Sequence, residues 1–102
     1  MEVRWTARAR KSYQRAIAYI EQQSGRDAAD RVGQRILDAS DALGIYPTGR
    51  RGRVARTFEK SLPDIRYILL YRIQRSAGDE VVQILDLVHA MRDWVPGQLP
   101  PK

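Results

Sequence analysis

Arginine, tyrosine and a single histidine are the residues of this chain that could do chemistry. Fifteen of its 18 Lys+Arg are arginine, it has five tyrosines, His89 is its one histidine, and cysteine is absent. Without thiols there is no disulfide framework, thiolate metal site or cysteine nucleophile. A lone histidine with scattered carboxylates matches neither zinc nor EF-hand spacing, so no metal and no cofactor is expected. The motifs G-x-x-x-x-G-K-S/T, G-x-G-x-x-G and G-x-S-x-G do not occur, and Gly49-Arg50-Arg51-Gly52 is too poor in glycine to cradle a phosphate. Two uses remain for the set. Arginines can stabilise the charge of a phosphorane while histidine or tyrosine moves protons, so metal-free RNA cleavage is one. The other involves no bond-breaking: the guanidinium fork grips carboxylate or phosphate on a partner. A His–Asp pair is disfavoured, because Asp86 and His89 fall on opposite faces of a regular strand.

The position of the charge favours gripping. Net charge is +6, and residues 50–76 alone hold eight bases against two acids (Glu59 and Asp64), while residues 77–102 are net acidic. An arginine-rich patch of this kind suits RNA, DNA or an acidic protein segment, and its plain alternative is a solvated face that aids solubility. Alternation along 65–73 sets Arg66 and Arg72 on one strand face with Ile68 and Leu70. A protein partner covering that face would account for both residue types. His89 is then either a general acid/base, a polar anchor at that surface, or a histidine satisfied at a strand end.

The elements that position these residues follow from periodicity. Glu2–Trp5 reads as a short strand, with Trp5 as a core aromatic, and Thr6 can cap the helix that follows. Ala9, Tyr13, Ala16, Ile17 and Ile20 keep helical spacing over 7–23, and Ser24-Gly25 stops that helix. Ala29, Val32, Ile36, Ala39 and Leu43 form a second stripe ending at Gly44, so the two helices make an antiparallel hairpin. After the turn-rich stretch from Pro47 to Gly52 the period becomes two. Strands are expected at Arg53–Glu59, Ile65–Ile73 and Val81–Val88, with breaks at Ser61–Asp64 and Arg75–Asp79. Ile65, Tyr67, Leu69, Tyr71 and Ile73 should face the helices, and the last strand, apolar on both sides, should be central. A short helical turn is expected over His89–Trp94.

The resulting fold class is α+β. An N-terminal strand and an antiparallel two-helix hairpin pack on a mainly antiparallel four-stranded sheet, followed by a short C-terminal helix, in the order β-α-α-β-β-β-α. At 102 residues one domain over 1–95 with a Pro-rich tail at 96–102 is expected. No apolar run is long enough to span a bilayer and residues 1–10 lack the apolar region of a secretory signal, so a cytoplasmic location is expected.

Taken together, several short motifs resemble the RelE/ParE toxins of bacterial type II toxin–antitoxin modules. They are Val3-x-Trp5, Tyr19-Ile20, Pro47-x-Gly49-Arg50-x-Gly52-Arg53-Val54, Arg56-Thr57-Phe58-Glu59, Tyr67-Ile68-Leu69-Leu70-Tyr71-Arg72, and the stretch from Val82 through His89 to Arg92-x-Trp94. The resemblance spans about residues 2–95 and implies a plasmid-stabilization toxin neutralised by a cognate antitoxin. The RelE-like branch cuts mRNA on the ribosome, whereas the ParE-like branch inhibits DNA gyrase. The nuclease branch carries an arginine where this chain has Ile68, basic residues near Glu59 and Ser61, and another arginine near Met91. An aliphatic or acidic side chain at those positions removes its electrostatic contribution. The ParE-like branch is therefore favoured, with DNA gyrase as target and no catalytic step. The alternatives implied are a RelE-like endoribonuclease acting on the ribosome and its mRNA, using His89 with Arg66, Arg56 and Arg92, and an inactive relic that only binds antitoxin. The partner-binding surface is expected at Arg50, Arg51, Arg53, Arg56, Arg66, Ile68, Arg72, His89, Arg92 and Trp94.

Overall fold

The structure, a computed structural model, describes residues 1–91. β1 (Glu2–Trp5) leads into α1 (Ala7–Ser24), and α2 (Arg26–Leu43) follows after Gly25. β2 (Arg50–Arg51), β3 (Phe58–Leu62), β4 (Tyr67–Ser76) and β5 (Asp79–His89) complete the order. The hydroxyl of Thr6 accepts the Ala9 N–H at 3.0 Å, satisfying an orphan amide of the first turn. Gly25 has φ +91 and donates its N–H to the Glu21 carbonyl, so a single residue both ends α1 and starts α2. The returning helix crosses at Gly33, where an added Cβ would stand 2.8 Å from the Tyr13 hydroxyl and 3.1 Å from Ile17 Cδ1.

The helical hairpin lies on one face of a sheet ordered β1-β5-β4-β3-β2. The main core combines Ala9, Ala16, Ile36, Ala39 and Leu43 of the helices with Leu62, Tyr67, Leu69, Tyr71, Val82, Ile84 and Leu87 of the sheet. Trp5 joins it half-buried, edge-on to Tyr13, with its indole N–H donating to the buried Ser40 hydroxyl at 2.9 Å. Tyrosine and leucine alternate along β4 as the period of two requires, and β5 is central, flanked by β1 and β4.

Four expectations are corrected. The sheet has five strands and is mixed, since β1 runs parallel to β5 from Glu2↔Val81 to Trp5↔Ile84. The extra strand, β2, is two residues long, too short to carry a periodic signal, and pairs with Phe58–Glu59. The third strand begins at Phe58, where pairing with Tyr71 starts, because Arg53–Thr57 are wound into a turn in which Gly52 N–H bonds Thr57 O and Thr57 N–H bonds Val54 O. Pro63 ends it only after Leu62, and β4 starts at Tyr67 because Arg66, at φ +64, cannot continue a strand. Finally, His89 belongs to β5 and Ala90–Met91 form a turn; the remainder of the expected C-terminal helix and the Pro-rich tail lie outside the described residues.

Candidate functional site

The arginine cluster is organised by a carboxylate. In the hairpin joining β2 to β3, Glu59 is 2% exposed, on the sheet face away from the helices. Its Oε1 accepts from the Arg50 guanidinium at 3.3 Å, and its Oε2 accepts the Arg53 N–H at 3.1 Å with Arg53 Nε at 3.8 Å. A buried carboxylate needs such partners, since an unpaired charge removed from water is strongly unfavourable. Arg50 and Arg53 are thus held from below, while Arg51 and Arg56 are exposed and form no ion pair among the described residues.

Glycine lets this hairpin close so tightly. Gly49, at φ +119, comes so near β3 that a Cβ would lie 2.5 Å from the Glu59 carbonyl oxygen, and one on Gly52 would run into the Thr57 hydroxyl. Arg56 completes the turn in the left-handed region at φ +66, an uncommon conformation for a non-glycine residue. On the helix side the hairpin is fastened by Tyr71, whose hydroxyl donates to Thr48 O, and by Lys60, whose ammonium donates to Thr48 Oγ1 at 2.9 Å. Burial pushes the Tyr71 phenol above its ordinary value, so it is a neutral donor over the whole physiological range.

Other predicted residues are placed differently. Arg66 is exposed in the turn before β4, outside the strand alternation, and its carbonyl accepts the Ala90 N–H at 2.8 Å. Ile68 is 6% exposed and, with Leu70 and Val88, forms a second small cluster with Leu85 and Ala90 alongside. Ile68 is therefore not an open apolar anchor beside arginines, which corrects that expectation. Arg72 is half-buried, donating to Gln83 at 2.6 Å and Gln74 at 3.4 Å. His89 is half-buried, its ring edge-on to Tyr67 with centroids 5.2 Å apart, and its Nδ1 accepts the Met91 N–H at 3.2 Å. Arg92 and Trp94 lie outside the described residues.

The register also separates the residues that cleavage would need together. Phe58 is level with Tyr71, whereas Leu62 is level with Tyr67 and, through it, His89. Arg56 thus lies beyond one end of β3 and His89 at the level of the other. From Phe58 to His89 the offset is about 13 Å along the strands and about 10 Å across them, roughly 16 Å in all. Arg66 adjoins the His89 end. Asp86 takes no part: a bulge in β5 between the Leu70 and Tyr71 pairings accompanies its engagement by α1, with Ser12 Oγ donating to one oxygen and Arg8 Nε to the other at 3.0 Å.

Two residues that matter were not singled out from the sequence as organisers. Glu59 read as one more polar residue on an alternating strand, although it is the sole acid between Asp41 and Asp64. Thr48 sat in a turn-rich stretch with nothing to show that Tyr71 would reach it.

A comparison with protein families matches residues 3–94 to the ParE toxin of the type II toxin–antitoxin system parDE. The chain belongs to the ParE toxin family. A curated relative, "Putative toxin Y4kP" of Sinorhizobium fredii (strain NBRC 101917 / NGR234), is 46% identical over 93 residues, covering 90% of this chain and 91% of its own. Among solved structures, a chromosomal ParDE TA system from P. aeruginosa matches with a TM-score of 0.79 at 18% identity, over 87% of this chain and 95% of that one. A YoeB/ParE toxin from Agrobacterium tumefaciens matches with a TM-score of 0.57 at 15% identity, over 85% and 95%. At those identities the two structures speak for a shared fold only. The same ParE fold here presents its arginines on the hairpin after the helices and on the β3–β4 turn. No helix among the described residues is long and apolar enough to cross a membrane.

Proposed function

We propose that this ParE-family toxin acts by binding, that its target is DNA gyrase, and that a cognate antitoxin neutralises it by docking over the arginine surface. The observation that carries the reading is the filling of Ile68. Where a phosphate-stabilising cation would be needed in the middle of the sheet, an aliphatic side chain is buried in a hydrophobic cluster. The roughly 16 Å between His89 and the Phe58 end of β3, beyond which Arg56 lies, supports the same conclusion, because a proton donor and a charge stabiliser must meet at one phosphate. The exposed Arg51, Arg56 and Arg66, with the half-buried Arg72, suit an acidic, partly disordered antitoxin segment that orders on contact.

The experiment is direct. Purified toxin added to DNA gyrase and relaxed plasmid should block supercoiling and leave broken plasmid, and antitoxin added in equal amount should restore the reaction. Transcripts mapped after induction should stay intact. Discrete cuts within translated codons, with gyrase unaffected, would overturn the reading in favour of a ribosome-dependent nuclease.

A further inference from the structure

We infer that Ile45 and Tyr46, at the corner between α2 and β2, anchor this toxin in an apolar pocket of its folded protein target, while Arg50 and Arg51 meet carboxylates on the rim of that pocket. This builds on gyrase being the target and on the antitoxin taking the arginines. Both corner side chains are 74% exposed, and among the described residues they are the only large exposed hydrophobics adjacent in sequence. Apolar residues exposed singly are ordinary on a monomer, whereas an aliphatic and an aromatic side by side next to a run of arginine mark a contact site. The Tyr46 phenol forms no hydrogen bond among the described residues, so its polar end is also open to a partner.

The corner is held still from both sides. The N–H groups of Ile45 and Tyr46 both donate to Ala42 O, at 3.0 and 2.9 Å, and the Thr48 N–H donates to Tyr46 O at 2.8 Å. Just before them Gly44 presses against β1, where a Cβ would stand 2.6 Å from Met1 O and 2.9 Å from Val3 Cγ2. Just after them Pro47 fixes its own φ, and Thr48 O accepts from the Tyr71 hydroxyl. A tyrosine on so fixed a backbone has only two side-chain torsions to lose, so it docks at a small entropy cost.

Shape and charge point to the occupant. A segment that orders on contact beds into grooves of its receptor. A rigid, projecting pair needs the reverse, a pocket already formed on a folded partner, and that describes the target rather than the antitoxin segment. Between Ala42 and Phe58 the chain has four arginines and no acid. Glu59, which follows, is buried with both oxygens spent on Arg50 and Arg53, so the complementary rim is acidic. A second copy of this chain would bring the same arginines against these, which like charge opposes. Tyr46 and Arg50 are four residues apart, about 14 Å at most. An ordinary interface, about 800 Å² on each partner and so about 30 Å across, covers both. An antitoxin segment lying on Arg50 and Arg51 then blocks the target without needing Tyr46, and neutralisation is competition for adjoining ground.

The test titrates the full chain into DNA gyrase and relaxed plasmid, and measures affinity for the antitoxin by calorimetry on the same preparations. The variant Ile45→Ser with Tyr46→Ser removes the anchor and no charge. A control, Leu37→Gln, removes another exposed aliphatic, from α2. Circular dichroism and urea midpoints check the fold of both variants. Half-inhibition of supercoiling should need at least about tenfold more of the double variant than of the wild type. Its antitoxin affinity should stay within about threefold of the wild type, and the control should match the wild type in both assays. Gyrase inhibited equally by wild type and double variant would overturn the inference and leave gyrase as the target. Antitoxin affinity lost in step with inhibition would assign the corner to the antitoxin and overturn it. So would a wild-type dimer, seen by light scattering, that the double variant fails to form. Gyrase untouched by the wild type would overturn the choice of target and this inference with it.

Discussion

Burial decides which polar side chains of this protein are structural and which face outward. Tyr71 and Glu59 are both almost inaccessible, and each fixes the arginine hairpin from a different face of the sheet, Tyr71 through Thr48 and Glu59 through Arg50 and Arg53. For Tyr71 the pH consequence has a definite sign. Burial raises its folded-state value above the ordinary 10, so the unfolded chain releases the proton first. The stabilisation is complete below pH about 10 and is lost as pH climbs through the folded value. A spectrophotometric titration should show two tyrosines ionising late, Tyr71 and Tyr13, whose phenol is raised by burial and by Asp30, and Tyr71→Phe should remove one of the two from the late step. Loss of the hydrogen bond should lower stability at neutral pH by about 1 kcal/mol, read from urea unfolding. A Tyr71→Phe protein whose late step keeps its full amplitude would show that Tyr71 is not among the phenols held back.

The elements owe their placement to a few positions where chain meets chain. Gly33 marks the closest approach of α2 to α1, beneath Tyr13 and Ile17. Valine there would bring branched methyls into a space already filled, and its gain in helix propensity over glycine, about 0.3 kcal/mol, is too small to offset the clash. Gly33→Val should therefore destabilise the fold by about 1–3 kcal/mol, seen as a lower urea midpoint with an unchanged slope. If the midpoint does not move, the crossing is looser than the 2.8 Å approach implies. Strand boundaries were harder to read than the helices, for a reason visible at Arg53–Thr57. Val54, Thr57 and Phe58 look like alternating strand residues, yet local turn bonds compete successfully, and the ladder begins only where Tyr71 is available as a partner. Helical hydrogen bonds close within the segment itself, so the apolar stripes of α1 and α2 and their stops at Gly25 and Gly44 could be recognised from spacing alone.

At the scale of the whole molecule, β5 is the centre of the architecture. It is covered by β1 on one edge and β4 on the other, and Val82, Ile84 and Leu87 reach the main core. Amide hydrogen exchange should accordingly be slowest in the paired stretches of β5 and β4, approaching the free energy of global unfolding. The two-residue β2, on the opposite edge, should exchange fastest among the strands. Slow exchange in β2 with fast exchange in β5 would contradict this ranking. The parallel pairing of β1 with β5 joins segments nearly a chain length apart, and neither strand's sequence states which neighbour it will have.

Composition, charge position and periodicity were enough to establish an α+β fold with a helical hairpin, a tyrosine-lined inner face, a central last strand and a concentration of arginine in the middle of the chain. Each of those is local, or is a sum over residues. The tertiary structure alone decided the fifth strand, the parallel pairing, the burial of Ile68, the separation of Arg56 from His89 and the role of Glu59 beneath the arginine hairpin. Those depend on which strands become neighbours and on what each side chain finds opposite it. The free energy that settles such pairings comes from contacts between residues remote in sequence, and no stretch of the chain carries that information by itself.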